Sequence, residues 1–161
     1  MGDITYEQRM ARHAVATMVY RAAKTMRDPP AEFGRCRFNQ KSRTPAEIVA
    51  HMADLFDWAL SMAKGEGVWR SSHPQGWDHE VARFYVSVKK FDTHLAFSST
   101  VACPLEKLFQ GPIADAISHV GQLAMLRHLF GAPIKSENSF VADIAIGRVG
   151  PDQPASRKEF D

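Results

Sequence analysis

The sequence is short of cysteine, of charge imbalance and of long apolar runs, and each shortage excludes a class of protein. Two cysteines, Cys36 and Cys103, cannot build a disulfide framework or a Cys-rich zinc ligand set, which fits a reducing compartment. Lys and Arg number 20 against 18 Asp and Glu, a formal net charge of +2 with neutral histidines. That surplus falls far short of what binds a phosphate backbone or anionic lipid, so no nucleic acid is expected as a partner. No apolar run approaches bilayer length, so no membrane partner is expected either. The first ten residues already carry Asp3, Glu7 and Arg9 where a secretory leader would be apolar, and the expected setting is cytoplasmic. What is present is ordinary for a globular chain. Of 161 residues, 45% are hydrophobic and 24% charged, enough for one domain, 1–161, with a substantial core. Seven histidines are the one compositional oddity.

Four segments carry helical periodicity. Between 5 and 26, Tyr6, Met10, Ala14, Met18 and Ala22 recur every fourth position, with Val15, Val19 and Ala23 widening the stripe. Arg27-Asp28-Pro29-Pro30 ends that segment. Thr44-Pro45-Ala46-Glu47 opens a second helix, 44–64, with Thr as N-cap, Pro at the first helical position and Glu closing a capping box. Ile48, Met52, Leu55, Ala59 and Met62 form its apolar face, and Gly65-Glu66-Gly67 breaks it. A third segment, 77–97, places Trp77, Val81, Phe84, Val88, Phe91 and Leu95 at alternating steps of four and three, leaving Arg83, Lys89, Lys90 and Asp92 for solvent. Cys103-Pro104 can begin a short helical turn, and Gly111-Pro112 opens a fourth helix, 111–130, which Gly131-Ala132-Pro133 stops. In the tail, 134–161, the alternating stretch 141–146 suits a strand or an extended arm, and the polar end is expected to fray. Four amphipathic helices of similar length make an all-α four-helix bundle the natural solution.

The fourth helix carries the chemistry-bearing residues. Its apolar side chains cover most of the circumference, which predicts burial on several sides. Yet at 100° per residue Asp115, His119 and Gln122 fall within one arc, beside Leu126. A carboxylate and an imidazole on an apolar face need partners, because burying either alone costs several kcal/mol. His51 lies three residues after Ile48 and four before Leu55, on the inward face of the second helix. One His from that helix with Asp115 and His119 makes a two-His, one-carboxylate set of the kind that holds a divalent ion and leaves positions open for water or substrate. The plainer reading is a hydrogen-bonded Asp115–His119 pair with His51 unrelated to it. His13, His79, His94 and His128 read as surface residues and His73 as a turn residue. Trp58, Trp69 and Trp77 suit the core or a pocket mouth, and Cys103 reads as an inert small hydrophobe.

Thr44-Pro45-Ala46-Glu47-Ile48-Val49-Ala50-His51-Met52-Ala53-Asp54 and Asp115-Ala116-Ile117-Ser118-His119-Val120-Gly121-Gln122-Leu123 together resemble the DinB-like (DinB/YfiT-like) superfamily of damage-inducible metalloenzymes. The likeness covers 5–133. It implies a four-helix bundle of up-down-down-up connectivity and a divalent ion, nickel or zinc first, held by one His of the second helix and two from an H-x-x-x-H in the fourth. His51 and His119 match ligand positions. Asp115 stands where the first His of that pair would be, which hardens the site and brings iron or manganese into range. Gln122, one turn beyond His119, could hydrogen-bond a ligand or a bound water, and Gly121 suits the close approach of a neighbouring helix. The resemblance implies a metal-dependent enzyme on a small-molecule substrate: a transferase using a low-molecular-weight thiol, or a hydrolase. The alternative is a non-catalytic helical binding or stress-response protein whose His/Asp cluster is structural. A homodimer through the first helix or the tail is expected.

Overall fold

The structure, a computed structural model, describes residues 4–160. It is all-α: helices run over Tyr6–Met26 (α1), Pro45–Ala63 (α2), Trp77–Phe97 (α3), Leu105–Leu108 (α4) and Ala114–Leu129 (α5). α2 packs most extensively on α3, α5 lies against both α1 and α2, and α1 also meets α3.

Local chemistry sets the helix starts. At α2 the Thr44 hydroxyl accepts from the Glu47 N–H, and the Glu47 carboxylate accepts from the Thr44 N–H at 2.7 Å, so two otherwise orphaned donors are satisfied reciprocally. α1 repeats the device with Thr5 and Gln8. The fourth helix departs from expectation. Helical structure begins at Leu105, and Gly111-Pro112 lies inside it, within a π-helical turn spanning Phe109–Ile113. Proline lacks an N–H and crowds the carbonyl four residues back, and a widened turn is how a helix accommodates it without breaking.

The core joins all the long helices, with Val15, Met18, Met52, Phe56, Phe84, Val88, Phe91 and Leu123 shielded from solvent. Each such side chain contributes about 1.5–3 kcal/mol relative to exposure. The α2 and α3 faces read from sequence are the ones buried. On α1 the stripe holds from Val15 onward, with Val15, Met18, Val19, Ala22 and Ala23 buried, and fails only at its start, where Tyr6 and Met10 are exposed and Ala11 faces inward. α5 is not buried on several sides, since Ile117, Met125 and Leu129 are exposed. Gly121 permits no close helix approach, because a Cβ there would meet nothing within 4 Å. The glycine with that role is Gly34, where a Cβ would sit 2.6 Å from the Trp77 Cβ.

Two charged residues assigned to solvent are in fact buried or bridged. Asp92 is buried and accepts both ends of an Arg12 fork at 2.8 and 3.0 Å. Arg83 spends all its donors on α2, α3 and the loop between them, as described below. His94, expected at the surface, is half-buried; its Nδ1 meets the Ser98 hydroxyl at 3.1 Å and its Nε2 is enclosed without a partner.

The tail holds no strand among the described residues. The 141–146 stretch lies in and beyond a single 3₁₀ turn, Ser139–Val141, and an isolated antiparallel bridge joins Glu137 to Glu159. Nor does the polar end fray. Lys24 donates to Glu159 at 2.9 Å and to Ser156 at 3.1 Å, Tyr20 donates to Glu137 at 3.0 Å, and Val149 is buried in the core cluster.

Candidate metal centre

Asp115 and His119 are one turn apart on α5, in the stretch that directly follows the π turn. His51 reaches the same point from α2. The Asp115 carboxylate stands between the two imidazoles: one oxygen is 3.3 Å from His51 Nε2, the other 3.4 Å from His119 Nε2. One donor atom from each of the three residues lies within 4.8 Å of the other two. The imidazole rings meet edge to face at 4.9 Å between centroids.

Charge-assisted hydrogen bonds are shorter than the two carboxylate contacts, usually about 2.7–2.9 Å. Atoms bound tetrahedrally to one zinc-like ion at 2.0–2.1 Å are instead about 3.3 Å apart. The donor set could therefore hold a cation, and the His51–Asp115 contact at 3.3 Å also serves as a direct hydrogen bond. Two neutral imidazoles and one carboxylate leave a divalent ion with a net positive charge and with coordination positions to spare.

Burial is graded across the site. His119 is buried, His51 partly so, and Asp115 is exposed. Asp115 thus closes the rim and does not lie on an apolar face, as its helical position had suggested. Burial pushes the His51 imidazole below its ordinary range, and the positive charge of Arg43 adds to this, while the Asp115 carboxylate works in the opposite direction. The net effect keeps His51 neutral near pH 7, the form with a lone pair to give.

Gln122 does not aim at the ion position. Its Oε1 lies 2.8 Å from His119 Nδ1. An amide oxygen only accepts, so Nδ1 carries the proton and Nε2 presents its lone pair toward Asp115 and His51.

A segment without helix or strand, between Ala63 and Trp77, walls one side. Its Trp69 ring is 5.8 Å from the His51 ring and 5.6 Å from that of Trp58, edge to face in both cases. Trp77 lies elsewhere, against Phe33 in the core. The segment is pinned by a polar network that sequence periodicity did not reveal. Val68 N–H donates to the Ser61 hydroxyl at 2.8 Å, Ser72 donates through both N–H and hydroxyl to Asp54, and Gln75 N–H donates to Glu80. Arg83 ties these together, donating to Glu80, Asp54, the Ala50 carbonyl and the Ser72 hydroxyl. Burial of Glu80 opposes its charge, but the Gln75 N–H, Arg83 and His79 outweigh that and hold its carboxyl below the usual range. His13, His73, His79 and His128 are exposed, as the sequence indicated. A cleft of about 340 Å³ next to this network, lined by Asp54, Asp57, Trp58, Ser61 and Arg83, does not include the His/Asp cluster.

No family model, no curated protein and no solved structure matches the chain. Among the described residues, no helix is long and apolar enough to cross a membrane.

Proposed function

We propose that the protein is a metal-dependent enzyme that holds one divalent ion between α2 and α5 and acts on a small molecule. The observation that carries this is the convergence of His51, Asp115 and His119 donor atoms within 4.8 Å, with the His119 tautomer set by Gln122. A bound divalent cation supplies positive charge that lowers the pKa of a coordinated thiol or water, creating a nucleophile at neutral pH. His51 and His119 fix the ion's position from two helices. Asp115 offsets part of its charge and, being exposed, leaves the solvent side approachable.

The reading extends to a DinB-like fold and chemistry: a four-helix bundle of up-down-down-up connectivity and a thiol-dependent transfer or a hydrolysis. The contacts of α5 with α1 and α2, and of α3 with α1 and α2, are those a bundle requires. Nickel or zinc suits the two imidazoles, and the single carboxylate extends the range to iron and manganese.

The test is metal analysis of the untagged protein beside His51→Ala and His119→Ala. The wild type is expected to bind about one divalent ion per chain and both variants to lose it. Retention of metal by both variants, or no binding and no thermal shift in the wild type with added zinc, nickel, iron or manganese, overturns the reading in favour of a structural His/Asp cluster.

A further inference from the structure

Trp69 is 42% exposed, yet the backbone on either side of it is fixed. Val68 is bonded to Ser61 of α2, and Ser72 to Asp54 of α2 and Arg83 of α3. Its indole N–H is already used, donating to the Ser71 hydroxyl at 3.1 Å, so its exposed surface is that of a ring and not of a polar handle. Loops of this length without secondary structure are uncommon in small domains unless they serve a function. Here a largely buried guanidinium and two buried carboxylates, Asp54 and Glu80, are committed to holding one. Such networks bring little net stability compared with apolar packing, and a role in fixing geometry is their better-attested use.

What the anchors hold is an aromatic surface one ring away from a metal ligand. The Trp69 centroid is 5.8 Å from that of His51, and Trp58 backs it at 5.6 Å. A molecule bound to the ion on its His51 side would therefore adjoin the indole, whose ring centroid is 5.8 Å from that of His51. The ion's residual positive charge selects an anionic donor atom, and the indole selects what is attached to it.

Resting on the metal-centre reading above, we propose that Trp69 is a preformed stacking platform and that the site's ligands carry a flat aromatic group directly beside an anionic, metal-binding head. Aliphatic molecules with the same head gain only the head's coordination. Because the platform is anchored before a ligand arrives, little ordering entropy opposes stacking.

The experiment uses the full chain loaded with zinc and two probes that share a chelating head, benzohydroxamate and acetohydroxamate, with affinity read by calorimetry. The wild type is expected to bind the aromatic probe at least about tenfold more tightly, and Trp69→Ala to erase most of that preference while keeping its zinc. Since stacking on an aromatic side chain accounts for about 1–3 kcal/mol, a loss of about tenfold for benzohydroxamate and under twofold for acetohydroxamate is the expected pattern. Trp69→Phe, which keeps a ring, is expected to retain the preference within about threefold. Equal affinities of the two probes for the wild type, or equal weakening of both in Trp69→Ala, overturns the platform while leaving the metal centre standing. Failure of the wild type to bind zinc overturns both.

Discussion

At the scale of single residues, the site divides into groups that could bind an ion and a group that aims one of them. Gln122 aims: its amide oxygen accepts a hydrogen bond from His119 Nδ1–H, so Gln122→Leu is expected to weaken zinc affinity by about tenfold, in line with other losses of a ligand's hydrogen-bond partner. Competition with a chromophoric chelator measures this, and Gln122→Glu, which keeps an acceptor, should lose less. Asp115 sets preference. Asp115→His replaces a hard donor by an imidazole, and is expected to favour nickel and zinc further over manganese in mixed-metal competition. His51 and His119 could be read from the sequence because helical periodicity placed both on inward faces. Asp115 was legible as a member but not in its exposure, since a position on a helix wheel does not say how far toward a helix end a neighbour still covers it. Trp69 stood out only as an aromatic residue; in a loop no period assigns it a direction, and Ser72, which anchors that loop to Asp54 and Arg83, had no signal at all.

At the scale of elements, stability and site geometry meet in the segment joining α2 to α3. Arg83→Ala leaves Asp54 and Glu80 buried without their cation and is expected to cost about 3 kcal/mol in denaturant unfolding. Glu80 adds a pH dependence. Its folded carboxyl titrates below the ordinary 4.5, so its contribution is complete above that pH and is lost as pH falls through the lower folded value. Glu80→Gln should therefore flatten the fall of melting temperature as pH drops below 4.5. A purely local device behaves differently: Thr44→Ala removes one cap of α2 and is expected to cost about 1 kcal/mol with zinc content unchanged. The helices themselves were legible because capping boxes and four-three spacing are local. The π turn was not, since Gly-Pro ordinarily marks a helix start and only packing shows that this helix passes through it. The exposed start of the α1 stripe has the same origin: Tyr6, Met10 and Ala11 are all apolar enough to face inward, and packing buries only Ala11.

At the scale of the whole molecule, exposed apolar side chains remain on α1 and the tail, Tyr6 and Met10 on the one and Phe140, 96% exposed, on the other. A homodimer through either place is a proposal that sedimentation tests: a single monomeric species for the wild type overturns it, and a dimer that Phe140→Ser weakens assigns it to the tail. The tail's attachment could not be read from sequence, because its composition is that of a solvated end and its partners, Tyr20 and Lys24, lie far away along the chain. That distance has a consequence for synthesis. Tyr20 meets Glu137 only after 117 further residues have been added, so α1 waits with one flank unfinished. During that wait the flank of α1 carrying Tyr20 and Lys24 is open to other partners, and the later segment closes it.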